Sequence, residues 1–156
     1  MASEAARERG ATVDRFDRLD EIPAFNPERG EAHIDAVDDW RSRIDRADAV
    51  LIAAPEYAGG VSGAVKNALD WLVGSATMYR KPVGVISAGT TGGEHARRTL
   101  TQTLTWQGAN VIADVGISAP RTKSDDDGRF TDAATIDDIT GLVELLIDKV
   151  DPKADT

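Results

Sequence analysis

Residues 49–74 read AVLIAAPEYAGGVSGAVKNALDWLVG, and this stretch decides the fold. Ala49–Ala54 is a short apolar run, the pattern of a strand buried on both faces of a sheet. Pro55, Gly59 and Gly60 break the run and mark a tight loop. From Ser62 the period changes. Val65, Leu69 and Leu72 recur at i, i+4 and i+7, which predicts a helix. Lys66 and Asp70 add an i,i+4 ion pair in the weaker of its two orientations. Strand, glycine loop and helix form the unit that places ligands at the carboxyl end of a parallel sheet. Spacing alone fits an ordinary strand-to-helix connection as well. The wording of the loop is the more specific signal.

The same unit recurs downstream. Pro82–Ala88 (PVGVISA) predicts the next parallel strand, and Gly89, Thr90, Thr91, Gly92 and Gly93 follow it directly. Glu94–Gln107 predicts a helix with Ala96, Leu100, Leu104 and Trp106 at its apolar positions. Gly108 ends that helix, and Ala109–Ile117 predicts the last strand. Asp114 is the odd residue there and is expected to face solvent near an edge. Upstream, His33–Arg46 predicts a helix with Ile34, Val37, Trp40 and Ile44 on one face and Trp40 packed at the core edge. Thr12–Phe16 alternates weakly and is expected to be a strand. Met1–Gly10 predicts a helix end stopped by Gly10. The final helix is expected to be capped by Thr131, to have Asp132 in its first turn and to bury Ile136, Ile139, Val143, Leu146 and Val150. Residues 151–156 are expected to be a tail. Alternating strands and helices make a three-layer α/β sandwich in one domain spanning residues 1–150.

Pro55, Glu56, Tyr57, Ala58 and Gly59, followed by Val65, Lys66, Asn67, Ala68, Leu69, Asp70 and Trp71, resemble a motif of the NAD(P)H-dependent FMN reductase family, a branch of the flavodoxin-like proteins. Members commonly carry Pro-Glu-Tyr-Asn-Gly, then Leu-Lys-Asn-Ala-Leu-Asp-Trp. Ala58 stands where Asn is usual, and Ser62 where Pro is frequent. Ser87, Ala88, Gly89, Thr90, Thr91, Gly92 and Gly93 resemble the family's Ser-Ala-Gly-x-x-Gly-Gly segment. Asp20, Ile22, Pro23, Phe25, Asn26 and Pro27 keep the outline of an Asp-Leu-x-x-Leu-Pro-x-x-Asn-Pro segment that is expected to pack on the sheet edge.

The resemblance implies a flavodoxin-like sheet of order 2-1-3-4-5 and a bound FMN. Its ring would be contacted by Pro55, Glu56, Tyr57, Ala58 and Gly59 on one side. Ser87, Ala88, Gly89, Gly92 and Gly93 would flank the other. It implies NADPH or NADH as the reductant and a small-molecule acceptor such as a quinone, free flavin, azo compound or metal oxyanion. It also implies a homodimer or homotetramer, with Asn67, Asp70 and Trp71 at the dimer contact. No side chain is assigned a catalytic role, since the cofactor carries the redox chemistry. Family members begin with a strand and a Gly-Ser-x-Arg-x-x-Ser-x-Asn phosphate loop. No such segment precedes His33, and Met1–Gly10 matches only the end of the first family helix. The expected domain therefore lacks its first strand, which would lie between Thr12–Phe16 and Ala49–Ala54. A shortened gene model and a truncated paralogue both account for this. The competing functional class is a flavin-free dimerising or regulatory protein.

Composition bounds the remainder. The chain has 156 residues, enough for one domain with a real core, and 41% of them are hydrophobic. It has no cysteine, hence no disulfide, thiolate metal site or cysteine nucleophile. His33 and His95 are the whole histidine complement, so no histidine metal cluster is expected. The acidic run Asp125–Asp127 does not follow the alternating spacing of a calcium loop and reads as a solvated loop. A net charge of −9 and a pI near 4.6 oppose binding to nucleic acid or anionic membrane. Abundant Asp with five lysines suits a salt-rich cytoplasm. No apolar run approaches the roughly 18 residues of a membrane span, and no signal peptide is read.

Overall fold

A computed structural model describes residues 1–30 and 32–150. The expected tail, residues 151–156, lies outside the described residues. The helices are α1 (Ala2–Glu8), α2 (Asp35–Arg46), α3 (Gly63–Asp70), α4 (Glu94–Trp106) and α5 (Ala133–Val150). The strands are β1 (Val50–Ala53), β2 (Glu56–Tyr57), β3 (Gly60–Val61), β4 (Pro82–Gly89) and β5 (Asn110–Ser118). Strands β1, β4 and β5 form one parallel sheet in that order, and β2 with β3 forms a separate antiparallel hairpin.

The centre of the sheet is β4, with Val50 opposite Val83 on one side and Pro82 opposite Asn110 on the other. Its side chains alternate between two apolar layers. Val83 and Val85 join Val37, Trp40, Leu69, Trp71, Leu100 and Leu104, on the side of α2, α3 and α4. Ile86 joins Ile117, Ile139 and Leu142, on the side of α5. Gly84 also points to the α5 side, where a Cβ would lie 2.9 Å from Leu146 and 3.2 Å from Leu142. A side chain there would overpack the sheet–helix contact.

Several sequence expectations change in the structure. Thr12–Phe16 is not a strand, since residues 11–18 have no regular structure. Among the described residues β1 pairs with β4 alone, and 11–18 does not add to its open edge; its side chains turn to α2 instead. Phe16 sits 4.9 Å from Trp40, and the guanidinium groups of Arg18 and Arg43 flank the Phe16 ring at 5.6 and 5.7 Å. Arg43 hydrogen-bonds Asp39 and holds its carboxyl below the usual carboxylate range. The order 2-1-3-4-5 is thus represented among the described residues by its last three strands. Strand β1 is not buried on both faces either. Val50, Leu51 and Ile52 are half-buried and Ala53 is exposed, as suits a strand with one neighbour.

Helix α2 starts two residues after His33, which lies on the surface with its ring Nδ1 2.6 Å from Asp38. Trp40 is buried, and its indole donates to the Ala68 carbonyl at 2.9 Å. Lys81 closes the far end of α2, with Nζ donating to the carbonyls of Ile44 and Ala47, both at 2.6 Å. Burial lowers the pKa of that ammonium. Gly10 ends α1 as expected, at φ +84°, while Ala11 N–H reaches Ala6 and Gly10 N–H reaches Arg7.

The cap of α5 is Asp132, not Thr131. Its carboxylate accepts from Thr135 O–H at 2.7 Å and Thr135 N–H at 3.0 Å, which lowers its pKa. On α5, Leu142 takes the buried place expected of Val150, which is exposed. Gly141 lies within α5 with open space where a Cβ would go. Gly141→Ala is expected to stabilise the chain by about 0.5–1 kcal/mol, read as a rise of about 2–4 °C in thermal midpoint. An unchanged or lower midpoint would mean that the position does more than continue the helix.

Candidate flavin site

The site is built at the carboxyl ends of β1 and β4. After β1 the chain forms the hairpin β2–β3, with Ala58 and Gly59 in its turn at φ +50° and +70°. Positive φ at both central residues defines the type I′ turn, for which Asn-Gly is the favoured pair. Gly59 adopts this geometry freely, whereas the Ala58 Cβ is strained. Ala58→Asn is therefore expected to stabilise the hairpin by about 0.5–1 kcal/mol, seen as a higher urea midpoint. A lower midpoint would show that the turn changes type when the side chain changes.

Tyr57 leaves the hairpin 66% exposed, as a free aromatic face beside the exposed Ala58 and Gly59. Glu56 points the other way. Its carboxylate accepts from the Ala96 N–H at 3.1 Å, in the first turn of α4. The residue before α4 is Gly93, which has no side chain to cap the helix. Glu56 supplies the missing acceptor and places a negative charge at the positive end of the helix. One hydrogen bond therefore fixes the first loop against the helix that follows the second.

In that second loop, Thr90 and Thr91 are exposed while Gly92 and Gly93 are buried at φ +77° and +64°. A Cβ on Gly93 would fall 2.0 Å from Ser87 Oγ, so Ser87 occupies the space the glycine leaves. Ser87 is buried and its hydroxyl has no hydrogen-bond partner among the described residues. Arg97 locks the loop from outside. Its Nε donates to the Gly92 carbonyl at 3.2 Å, and its guanidinium pairs with Asp114 on β5. Gly116 makes room for this, because a Cβ there would meet Gly92 O at 2.7 Å and Arg97 at 2.8 Å.

Asp114 is exposed on the edge strand, as expected, but its partner Arg97 and the spacer Gly116 escape a reading of the sequence. The available signal is an acid and a glycine two residues apart, hence on one face of an otherwise apolar strand. At the base of both loops lies an apolar cleft of about 340 Å³, whose lining includes Ala54, Pro55, Ala88, Ile117 and Phe130. No His, Asp or Glu cluster able to hold a metal occurs among the described residues.

The residues expected at a dimer contact lie elsewhere. Trp71 is 0% exposed, and its indole donates to the Pro23 carbonyl at 2.8 Å. Asn67 accepts from Phe25 N–H at 2.8 Å and donates to the Pro23 carbonyl at 2.9 Å. These two residues clamp the 22–25 segment onto α3, so that segment packs on a helix and not on the sheet edge. Trp71 has no surface left for a second copy. Asp70 pairs with Lys66 at 2.6 Å. Ser62 sits at the start of α3 but makes no side-chain capping bond.

Two glycine loops at neighbouring strand ends, one worded Pro-Glu-Tyr, agree with a family model described as NADPH-dependent FMN reductase, which matches residues 1–123. The chain belongs to the NADPH-dependent FMN reductase family. An NADPH azoreductase from a Bacillus species is 33% identical over 96 residues, covering 60% of this chain and 53% of the azoreductase. A quinone reductase from Escherichia coli is 29% identical over 138 residues, covering 83% of this chain and 73% of that protein. The chain thus spans about half the length of the azoreductase (53%). Among solved structures, the flavoenzyme NAD(P)H:(acceptor) oxidoreductase FerB of Paracoccus denitrificans superposes with a TM-score of 0.76. It is 26% identical, with 96% of this chain and 85% of FerB covered. The three-layer α/β architecture of this family member is flavodoxin-like.

Proposed function

We propose that this chain is the flavin-binding part of an NAD(P)H-dependent FMN reductase that passes electrons to a quinone, a flavin or a similar small acceptor. The observation that carries this reading is the pair of glycine loops after β1 and β4, joined by the Glu56–Ala96 hydrogen bond. The donor set suits a flat ring. Tyr57 offers an aromatic face, and the backbone at Glu56–Gly59 and at Gly89–Gly93 comes close because glycines leave no side chain in the way. Ser87 and Ala88 form the floor of the second loop, and Pro55 begins the first. Bound flavin supplies the redox chemistry, so no side chain is assigned as acid, base or nucleophile. Glu56 serves as the strut between the loops.

NADPH or NADH is the reductant in this reading. The protein works in the cytoplasm, in keeping with its acidic composition. Among the described residues, no helix is long and apolar enough to cross a membrane. The chain self-associates as a dimer or tetramer. Residues 1–150 are one domain, and a further parallel strand on the open edge of β1 completes its sheet. The test is to titrate the purified protein with FMN and, with FMN kept in excess, follow NADPH and NADH oxidation with a quinone acceptor. Saturable flavin binding and protein-dependent, acceptor-dependent oxidation are expected. A protein that binds no flavin at saturating concentration would sink the reading.

A further inference from the structure

Trp106, at the end of α4, is 85% exposed, Tyr79 is 67% exposed and Val73 is 58% exposed. All three line one open groove of about 570 Å³, with buried Leu72 and Met78 in its wall. Among the described residues, Asp70 is the single charged one in that lining, on a chain that is 29% charged. Aromatic enrichment with loss of charge marks the core of a protein interface. The backbone here is also held in costly shapes. Ala76 and Arg80 have φ of +55° and +59°, a region that residues bearing a Cβ disfavour. Arg80 N–H is tied to the Gly108 carbonyl at 2.7 Å, and the Tyr79 ring lies against Gly108, where a Cβ would meet it at 2.9 Å. The loop therefore presents Tyr79 beside Trp106.

We infer that this face is where two copies of the chain meet. Three observations select a second copy as the occupant. At a net charge of −9, copies repel one another except across a face that carries almost no charge. The groove and the protruding Trp106 share that face, so a twofold axis can seat each indole in the other's groove. The three exposed side chains offer on the order of 400 Å² of apolar surface per copy, which with a polar rim on both copies reaches the roughly 1,200 Å² at which stable interfaces begin. The inference gives a location to the self-association proposed above and does not depend on flavin binding.

The chain carries its own probe. Trp40 and Trp71 are buried, so acrylamide quenching of tryptophan fluorescence reports Trp106. Sedimentation velocity from low to high micromolar concentration should show a monomer–dimer equilibrium, with quenching falling as dimer forms. Trp106→Glu and, separately, Val73→Glu should raise the dissociation constant by about tenfold or more with unchanged circular dichroism. Leu145→Glu, on the exposed side of α5, should leave it unchanged. A wild-type chain that stays monomeric throughout would overturn the inference. A dimer that survives both groove substitutions, or one that Leu145→Glu dissociates, would overturn it too.

Discussion

Trp71→Ala is expected to destabilise the chain by about 3–5 kcal/mol, the range for emptying a buried tryptophan site. Few small domains have more than about 5–15 kcal/mol in total, so this is a large share. Trp71 is wholly buried among the residues that join α2, α3 and the 22–25 segment. Its ring meets Phe25 edge-on at 5.2 Å and lies 5.7 Å from the Arg41 guanidinium. The Trp71 backbone carbonyl holds Arg41 Nε at 2.9 Å, a bond the substitution keeps. The Pro23 carbonyl loses the indole donor but keeps Asn67 at 2.9 Å, so the loss is mainly packing. Trp71→Phe should accordingly recover most of the stability. Urea unfolding followed by circular dichroism reads both. A midpoint that falls only on dilution would return Trp71 to an intersubunit role. An unchanged midpoint would contradict the burial.

FMN and riboflavin are expected to bind this chain with nearly equal affinity. The two loops proposed to face the ring, Pro55–Val61 and Ser87–Gly93, contain no Lys or Arg. Arg97 stands next to the second loop, but its guanidinium is committed to Asp114 and the Gly92 carbonyl. A phosphate held by two charge-assisted bonds gains about 3–6 kcal/mol, or two to four decades in affinity. Nothing in these loops supplies that gain. The net charge of −9 instead repels the phosphate, so added salt should improve FMN binding and leave riboflavin unmoved. Fluorescence-quench titrations of both ligands at low and high salt decide it. Preceding Met1 with a strand and a Gly-Ser-x-Arg phosphate loop should raise FMN affinity by two to four decades and riboflavin affinity far less. If FMN binds a hundredfold tighter than riboflavin to the 156-residue chain, residues outside the two loops hold the phosphate.

The parts of the fold set by neighbours along the chain are legible in the amino-acid sequence alone. The apolar runs of β1, β4 and β5 mark strands because each is short, mainly apolar and bordered by Pro or Gly on at least one side. Leu100 and Leu104 mark the buried stripe of α4 because helical spacing puts them on one face. The two glycine loops are legible because turn chemistry is local. Tertiary structure decides which faces are covered and which distant groups meet. Trp71 and Trp106 both end helical segments, yet one is buried under Phe25 and Arg41 and the other stands in solvent. Helix period alone does not say what packs beyond it. The Thr12–Phe16 alternation makes no strand, because a strand needs bonds to a neighbouring strand and Phe16 is held on Trp40 of α2 instead. Glu56 finds Ala96 forty positions away, and Arg97 finds Asp114 across the α4–β5 connection. Such bonds depend on where the sheet brings two chain segments together, and no local pattern of residues encodes that distance.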